Sequence, residues 1–476
     1  MIFTSIEFFI FFAIVCVLML LTNLLEYKSE WSHYKINRIR HMVLLVASYV
    51  FYAWWDWRFC MLMFALTGIA YQSALGIERG VSDKSYLVVG IMVPLVVLGV
   101  FKYLNFFLDS FYTVFQISNP GNLNVILPVG ISFYTFQLLS YTIDVYRKKI
   151  PANKDFMKLA LYIAFFPQLV AGPIVKASLF LPQLNENRRI KAENVARGVQ
   201  IFVFGLAKKV VLSDHISIYV DQVFDKPQAF DWLTLVLAVL SYSIQIYLDF
   251  SGYADMAIGC ALILGYDLAS NFNMPYVSRN VTEFWKRWHI SLSSWLQEYL
   301  YIPLGGTRKG VARTYMNLLI TMLLGGLWHG ASWNFVIWGG LHGIALCIHK
   351  IWSRLEVKKN VVYEGASWII TMIFVGFAWI FFRAETLEKA SVMILRIVSL
   401  QDGVRHLFSW TFVGVIVLFL SSFVAVIKSR RDEWNEGFYP YLDLSKFTSL
   451  VLFFVSVGMI VAFAYTGSNP FIYFQF

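Results

Sequence analysis

From Thr314 to His349 the chain runs for 36 residues without a single Asp, Glu, Lys or Arg. A run this apolar belongs in lipid, where every backbone N–H and C=O must be bonded within the protein, so it folds as helix. As one helix it would be about 54 Å long at ~1.5 Å per residue, against a hydrocarbon core of ~30 Å. It must therefore be two pieces. The natural break is Gly325-Gly326 through Gly330, which sets His329 at a helix interruption. An ionisable side chain at that depth is costly and points to function. Irregular backbone there survives only where protein buries it or it lines a watery cavity.

The remainder of the 476 residues reads the same way. Only 14% are charged, against roughly 25% in soluble domains, and the mean hydropathy is +0.62. Further apolar segments lie at Phe8–Leu25, 43–56, 59–77, 85–101, 125–143, 159–175, 198–213, 232–248, 253–266, 366–382, 407–427 and 447–465. Phe8–Leu25 has no basic segment before it and no small-residue cleavage site after it, so it reads as a retained first span. Lys28, Lys35, Arg38 and Arg40 follow it, which places that loop in the cytoplasm and the N-terminus outside. The net charge of +10 sits in short tracts between apolar segments, as the positive-inside rule expects, and excludes a nucleic-acid partner. The four cysteines, Cys16, Cys60, Cys260 and Cys347, have no ligand spacing, so neither disulfide nor metal is implied.

A second interruption is "FFPQLVAGPIVKASLFLPQL" (165–184). Its three prolines each remove a backbone donor, so a re-entrant or in-plane segment is expected. The basic stretch 185–209 reads as a cytoplasmic surface beside amphipathic helices. No repeat or flexible linker divides the chain, which reads as a single membrane domain over 1–476.

Chemistry concentrates in 241–343. "YSIQIYLDFSGYADMAIG" (242–259) sets Asp249 and Asp255 at the end of an apolar run. The segment 271–310 is too polar to cross lipid and too aromatic for a solvated loop, and it holds His289. "GGLWHGASWNFVIWGGLHG" (325–343) holds His329 and, in a second Gly-Gly-Leu-His-Gly, His342, which reads as a packing residue. His33, His41, His215, His349 and His406 flank charged segments and read as interfacial.

The motifs "LPVGISFYTFQLLSYTIDVYR" (127–147), "LYIAFFPQLVAGPIVK" (161–176), "IQIYLDFSGYADMAIG" (244–259), "NFNMPYVSRNVTEFWKRWHISLSSWL" (271–296), "YLYIPLGGTRKG" (299–310) and "LLGGLWHGASWNFVIWGGLHG" (323–343) resemble the membrane-bound O-acyltransferase (MBOAT) superfamily. The likeness is to its bacterial alginate O-acetylation branch, a relative of the teichoic-acid D-alanyl transfer protein. "FKYLNFF" (101–107) and "PFIYFQF" (470–476) extend it. At 297–298 the chain has Gln-Glu where that branch is expected to have Arg-Asp, so no role is assigned to Gln297 or Glu298.

The resemblance implies an all-α polytopic protein of the bacterial cell membrane, with about 11 transmembrane helices plus re-entrant or in-plane helices around a central tunnel. It implies an O-acetyltransferase that takes acetyl from a cytoplasmic thioester such as acetyl-CoA, with no bound cofactor. The acceptor would be an exported or wall polysaccharide, or an extracytoplasmic SGNH-type acetyltransferase partner. Besides membrane lipids these are the partners expected; D-alanyl or another acyl group is the alternative cargo. His329 matches the superfamily's tunnel histidine and His289 its second polar residue.

Chemistry agrees, since acyl transfer to a hydroxyl needs a general base and neutral imidazole serves near neutral pH. No GxSxG-type nucleophile motif is present, so direct transfer is expected. Candidates for the substrate path are Asp249, Tyr253, Asp255, Trp288, Trp328 and Asn334. Lys286, Arg287, Arg308 and Lys309 are candidates for the donor's phosphates. A small-molecule transporter is the rival class, because broken helices and buried ionisables serve transport too. Against it, the chain has no two-fold repeat and no series of intramembrane carboxylates.

Overall fold

The computed structural model describes residues 1–476 apart from 29–31, 81–82, 119–120, 122, 124, 171, 356–359, 408–409, 411–412, 415, 418–441, 468–470 and 473–476. Most of the 407–427 segment and of the "PFIYFQF" motif thus lies outside the described residues. What is described is helical, without a strand. Among the described residues six helices are long and apolar enough to cross a membrane: Ile6–Tyr27, Arg58–Glu78, Asp83–Phe115, Trp232–Ile263, Trp333–Trp352 and Val361–Arg383. The protein is a multi-pass integral membrane protein. The count of about 11 spans is not confirmed; Phe447–Phe463, for example, is apolar but only 17 residues long.

The chain separates into two compact units, one of residues 1–203 with 254–269, the other of 204–253 with 270–476. In the first unit, the Ile6–Lys28 helix is apolar on every face from Phe8 to Leu21 and there splits its faces by burial rather than by polarity. Phe8, Phe11, Val15, Met19 and Thr22 are buried, while Ile10, Ile14, Val17 and Leu21 are exposed. The buried set recurs at three- and four-residue steps, one helical stripe, and the exposed apolar face suits lipid. Arg40 is not a surface anchor: it is 1% exposed and its guanidinium meets Glu26 at 2.6 Å. The proline tract breaks as expected, into Phe156–Ala164, Phe166–Leu169, Ala177–Phe180 and a 3₁₀ turn Leu181–Asn185.

Two expectations about helix breaks are corrected. The segments 232–248 and 253–266 are largely one helix, Trp232–Ile263, so Asp249 and Asp255 sit within a helix rather than at its end. The helix continues because Asp249 is charge-paired inside the protein, as described below. In the second unit, the uncharged run divides into Val311–His329 and Trp333–Trp352. The break is at Gly330–Ser332, not at Gly325-Gly326, which are helical. Those glycines instead let two helices touch: a Cβ on Gly326 would collide with the Phe335 carbonyl, and one on Gly339 with the Met322 carbonyl. Pairing of 326 with 335 and of 322 with 339 makes the two helices antiparallel.

Candidate active site

His329 is the last residue of its helix, followed by Gly330 in an extended conformation (φ −163°, ψ 153°). It is 2% exposed. Rings wall it in: Trp328 at 5.0 Å between centroids, Trp338 at 5.0 Å and nearly perpendicular, and Phe382 at 5.2 Å. The His289 ring lies 6.3 Å from the His329 ring, with Trp328 beside both. A spacing of 40 residues in sequence closes to 6.3 Å between ring centroids in space. Both candidate histidines are brought together.

His289 joins the short helices Val281–Arg287 and Ile290–Leu296. Its backbone is left-handed (φ 44°, ψ 55°), a conformation a side chain adopts at a cost and that concentrates at functional sites. Its Nδ1 lies 3.2 Å from Asn271 Oδ1. That oxygen also accepts from Ser291 N at 3.1 Å and Ser291 Oγ at 2.9 Å, which fixes it as the carbonyl end of the amide. Nδ1 therefore carries the proton and Nε2 offers its lone pair. Burial pushes the imidazolium pKa down to about 3, so the ring is neutral at physiological pH.

A cavity of about 810 Å³ borders this region, lined among others by Gly330, Ser332, Phe335, Phe382, Asp221 and Arg383. Phe382 faces both the cavity and the His329 ring. Asn334 stands just past the break, where its Nδ2 donates to the Ala384 carbonyl at 2.6 Å, holding the break against the end of Val361–Arg383. A second cavity of about 910 Å³ is lined by Arg279, His349, Trp352, Tyr363 and Phe374 among others. His342 is fully buried near it, touching Phe374 and accepting at Nδ1 from Trp285 Nε1 at 3.2 Å.

Other candidates are placed differently. Asp249 takes Lys209 Nζ on Oδ1 at 2.6 Å and the Ile472 amide on Oδ2 at 2.8 Å. Lys209 also reaches Asp214 at 2.8 Å, so it is a buried ion-pair centre rather than part of a basic surface. Tyr253 belongs to this group through Lys209 and Phe471. Asp255 is in the first compact unit. Trp288 stacks on Phe284 and packs on Trp379. Arg287 is held by Glu283 at 3.0 Å and by the Asn273 carbonyl at 3.2 Å. Lys286, Arg308 and Lys309 are exposed. Asn271, Phe335 and Phe382 were not singled out from sequence; Asn271 alone had a signal, as an amide opening a polar-aromatic segment.

The family model MBOAT, membrane-bound O-acyltransferase family, matches residues 51–387. The chain is 43% identical over 364 residues to the probable alginate O-acetylase AlgI of Pseudomonas aeruginosa, covering 74% of this chain and 69% of that one. It is 38% identical over 469 residues to the protein of the same name from Pseudomonas putida, covering 92% and 95%. The peptidoglycan O-acetyltransferase of Helicobacter pylori is 36% identical over 486 residues, covering 91% of each chain.

Proposed function

The chain belongs to the membrane-bound O-acyltransferase family, and we propose that it carries acetyl from cytoplasmic acetyl-CoA to a hydroxyl presented on the outer side of the membrane, with His329 as general base. The observation that carries this reading is the pair of buried histidine rings 6.3 Å apart at a helix break beside a cavity. The relatives named for alginate and peptidoglycan favour a polysaccharide as final acceptor. An extracytoplasmic SGNH-type acetyltransferase would be the intermediate partner that reaches it.

Orientation follows from charge. Arg308 and Lys309 precede one helix of the antiparallel pair and Arg313 sits in its first turn, while Lys350 sits in the last turn of the other and Arg354 follows it. The positive-inside rule puts both ends in the cytoplasm. Val311–His329 then rises ~28 Å at ~1.5 Å per residue, which carries the break and the cavity beside it toward the outer face. Donor and acceptor would meet from opposite sides.

In the reaction the acceptor oxygen attacks the thioester carbonyl as its proton passes to His329. The new C–O bond forms, the C–S bond breaks, and His329 returns the proton to the departing thiolate. His289, with its proton committed to Asn271, can only accept; the attacking hydroxyl gives its single proton to His329, so Nε2 orients the acceptor by accepting from a neighbouring hydroxyl. The ring walls restrict the access of water, which competes with the hydroxyl for the donor. The test is purified protein in lipid nanodiscs with acetyl-labelled acetyl-CoA. Cleavage of the thioester with label moved to acceptor or water is expected; intact passage of a solute with no bond cleaved would sink the reading.

A further inference from the structure

Residues 464–467 and 471–472 belong to the same compact unit as the histidines, and the transfer chemistry does not use them. The Tyr465 amide donates to the Val210 carbonyl at 2.8 Å, tying the first of these stretches to the π-helical turn Ala207–Ser213. Phe471 and Ile472 are then buried, 0% and 4% exposed. The Ile472 amide donates to Asp249 Oδ2 at 2.8 Å, on the carboxylate whose other oxygen meets Lys209. One lysine between two aspartates leaves negative charge in excess, and a buried carboxylate needs its remaining lone pairs met. The Ile472 amide meets one. It fixes how deep Phe471 and Ile472 sit.

At that depth the Phe471 ring packs on Tyr253 at 4.3 Å and on Phe250 at 5.7 Å. Phe250 in turn stands edge to face against His289 at 4.6 Å and 89°. His289 has a left-handed backbone and a long 3.2 Å bond to Asn271, about which an imidazole can pivot. Phe250 packs against the ring directly. We propose that Phe471 and Ile472 are positioning residues for His289: the Ile472–Asp249 bond seats them, and Phe471 presses Phe250 against the imidazole so that Nε2 stays aimed at the acceptor hydroxyl that neighbours the reacting one. This rests on the reading of His289 given above.

The experiment is a double-mutant cycle on the full-length protein in nanodiscs, read as acetyl-CoA turnover. Phe471→Ala should lower kcat about tenfold with the KM for acetyl-CoA unchanged, since a small misplacement of a reacting group is costly. Phe471→Leu, which refills most of the volume, should recover most of the loss and serves as the second arm if the alanine variant folds poorly. Added to His289→Gln, either change should cost less than about twofold, because two residues acting as one unit are not additive. Full additivity, or wild-type kcat in Phe471→Ala, overturns the proposal. Absence of turnover in the wild-type protein would instead count against the acetyltransferase reading.

Discussion

The same short pattern occurs twice in the antiparallel pair, as Gly-Gly-Leu-Trp-His at 325–329 and Gly-Gly-Leu-His at 339–342, and the two copies end differently. Their contact glycines, Gly326 and Gly339, touch each other. Each histidine lies three residues further on, which keeps it on the seam side of its helix. Trp338 lies against both rings, 5.0 Å from His329 and 4.9 Å from His342. There the likeness stops. His342 is mid-helix and its Nδ1 takes the Trp285 indole proton; His329 closes its helix, and the backbone turns away at Gly330 next to a cavity. The pattern builds helix contact; where the helix ends decides which histidine stands at the break beside the cavity.

The largest expected effect tests that distinction directly. His329→Gln keeps a hydrogen-bonding side chain but cannot take a proton at neutral pH. It should lower kcat by at least the ~10²–10⁴-fold typical of a removed acid–base group, in protein that still inserts and elutes as a single species. Near-wild-type turnover would make His329 structural and remove the contrast with His342. His289→Ala comes next, with a loss of about 10- to 100-fold, because water can partly replace an orienting group that only accepts. Equal losses at 289 and 329 would mean that both histidines move protons.

His342→Gln should behave in the opposite way. It loses a buried hydrogen bond worth roughly 1 kcal/mol, so the thermal midpoint should fall while kcat stays within about threefold of wild type. A collapse of kcat with unchanged stability would give the two copies of the pattern one shared role. Gly326→Ala tests the contact they share. The new methyl meets the Phe335 carbonyl and Gly339, and overpacking of this kind costs typically ~1–3 kcal/mol. Its activity loss should track its loss of folded protein.

How far these features can be read without coordinates depends on what fixes them. The division of 314–349 is legible because bilayer thickness alone forbids one helix. Its position is not: two glycines read as a breaker, and only the opposing Phe335 carbonyl and Gly339 show that they are needed for contact. The pairing of His289 with His329 is legible from the family motifs. Asn271, which sets the tautomer of His289, is one amide among several polar residues of its segment. Phe335 and Phe382 are two of 43 phenylalanines, and nothing local marks which ones border a cavity. The Lys209–Asp249 pair joins positions 40 apart through burial, and at the end of a basic stretch Lys209 reads as surface. Side chains whose roles come from one distant neighbour are the ones sequence conceals.

The smallest expected effect concerns the end of the helix pair away from His329. If the donor is a cytoplasmic thioester its phosphates need cations, and the four candidates are not equivalent: Arg308 and Lys309 precede Val311–His329 at that end, whereas Lys286 and Arg287 lie three and two residues before His289. Arg287 already bonds Glu283 and the Asn273 carbonyl, so part of its charge is spent within the protein. Lys286, Arg308 and Lys309 are exposed and keep theirs for an anion. Phosphate binding is shared by ground and transition states, so losing it raises KM rather than lowering kcat. Arg287→Gln should therefore raise the KM for acetyl-CoA by no more than about threefold, the scale of a partly screened surface charge. Lys286→Gln, Arg308→Gln and Lys309→Gln combined should raise it further, with kcat held within about twofold on the same argument. Steady-state titration of acetyl-CoA with each variant measures both. A change confined to kcat would remove these cations from donor binding. The cytoplasmic end of the pair would then be a membrane anchor, and the donor route would have to be sought elsewhere in the fold.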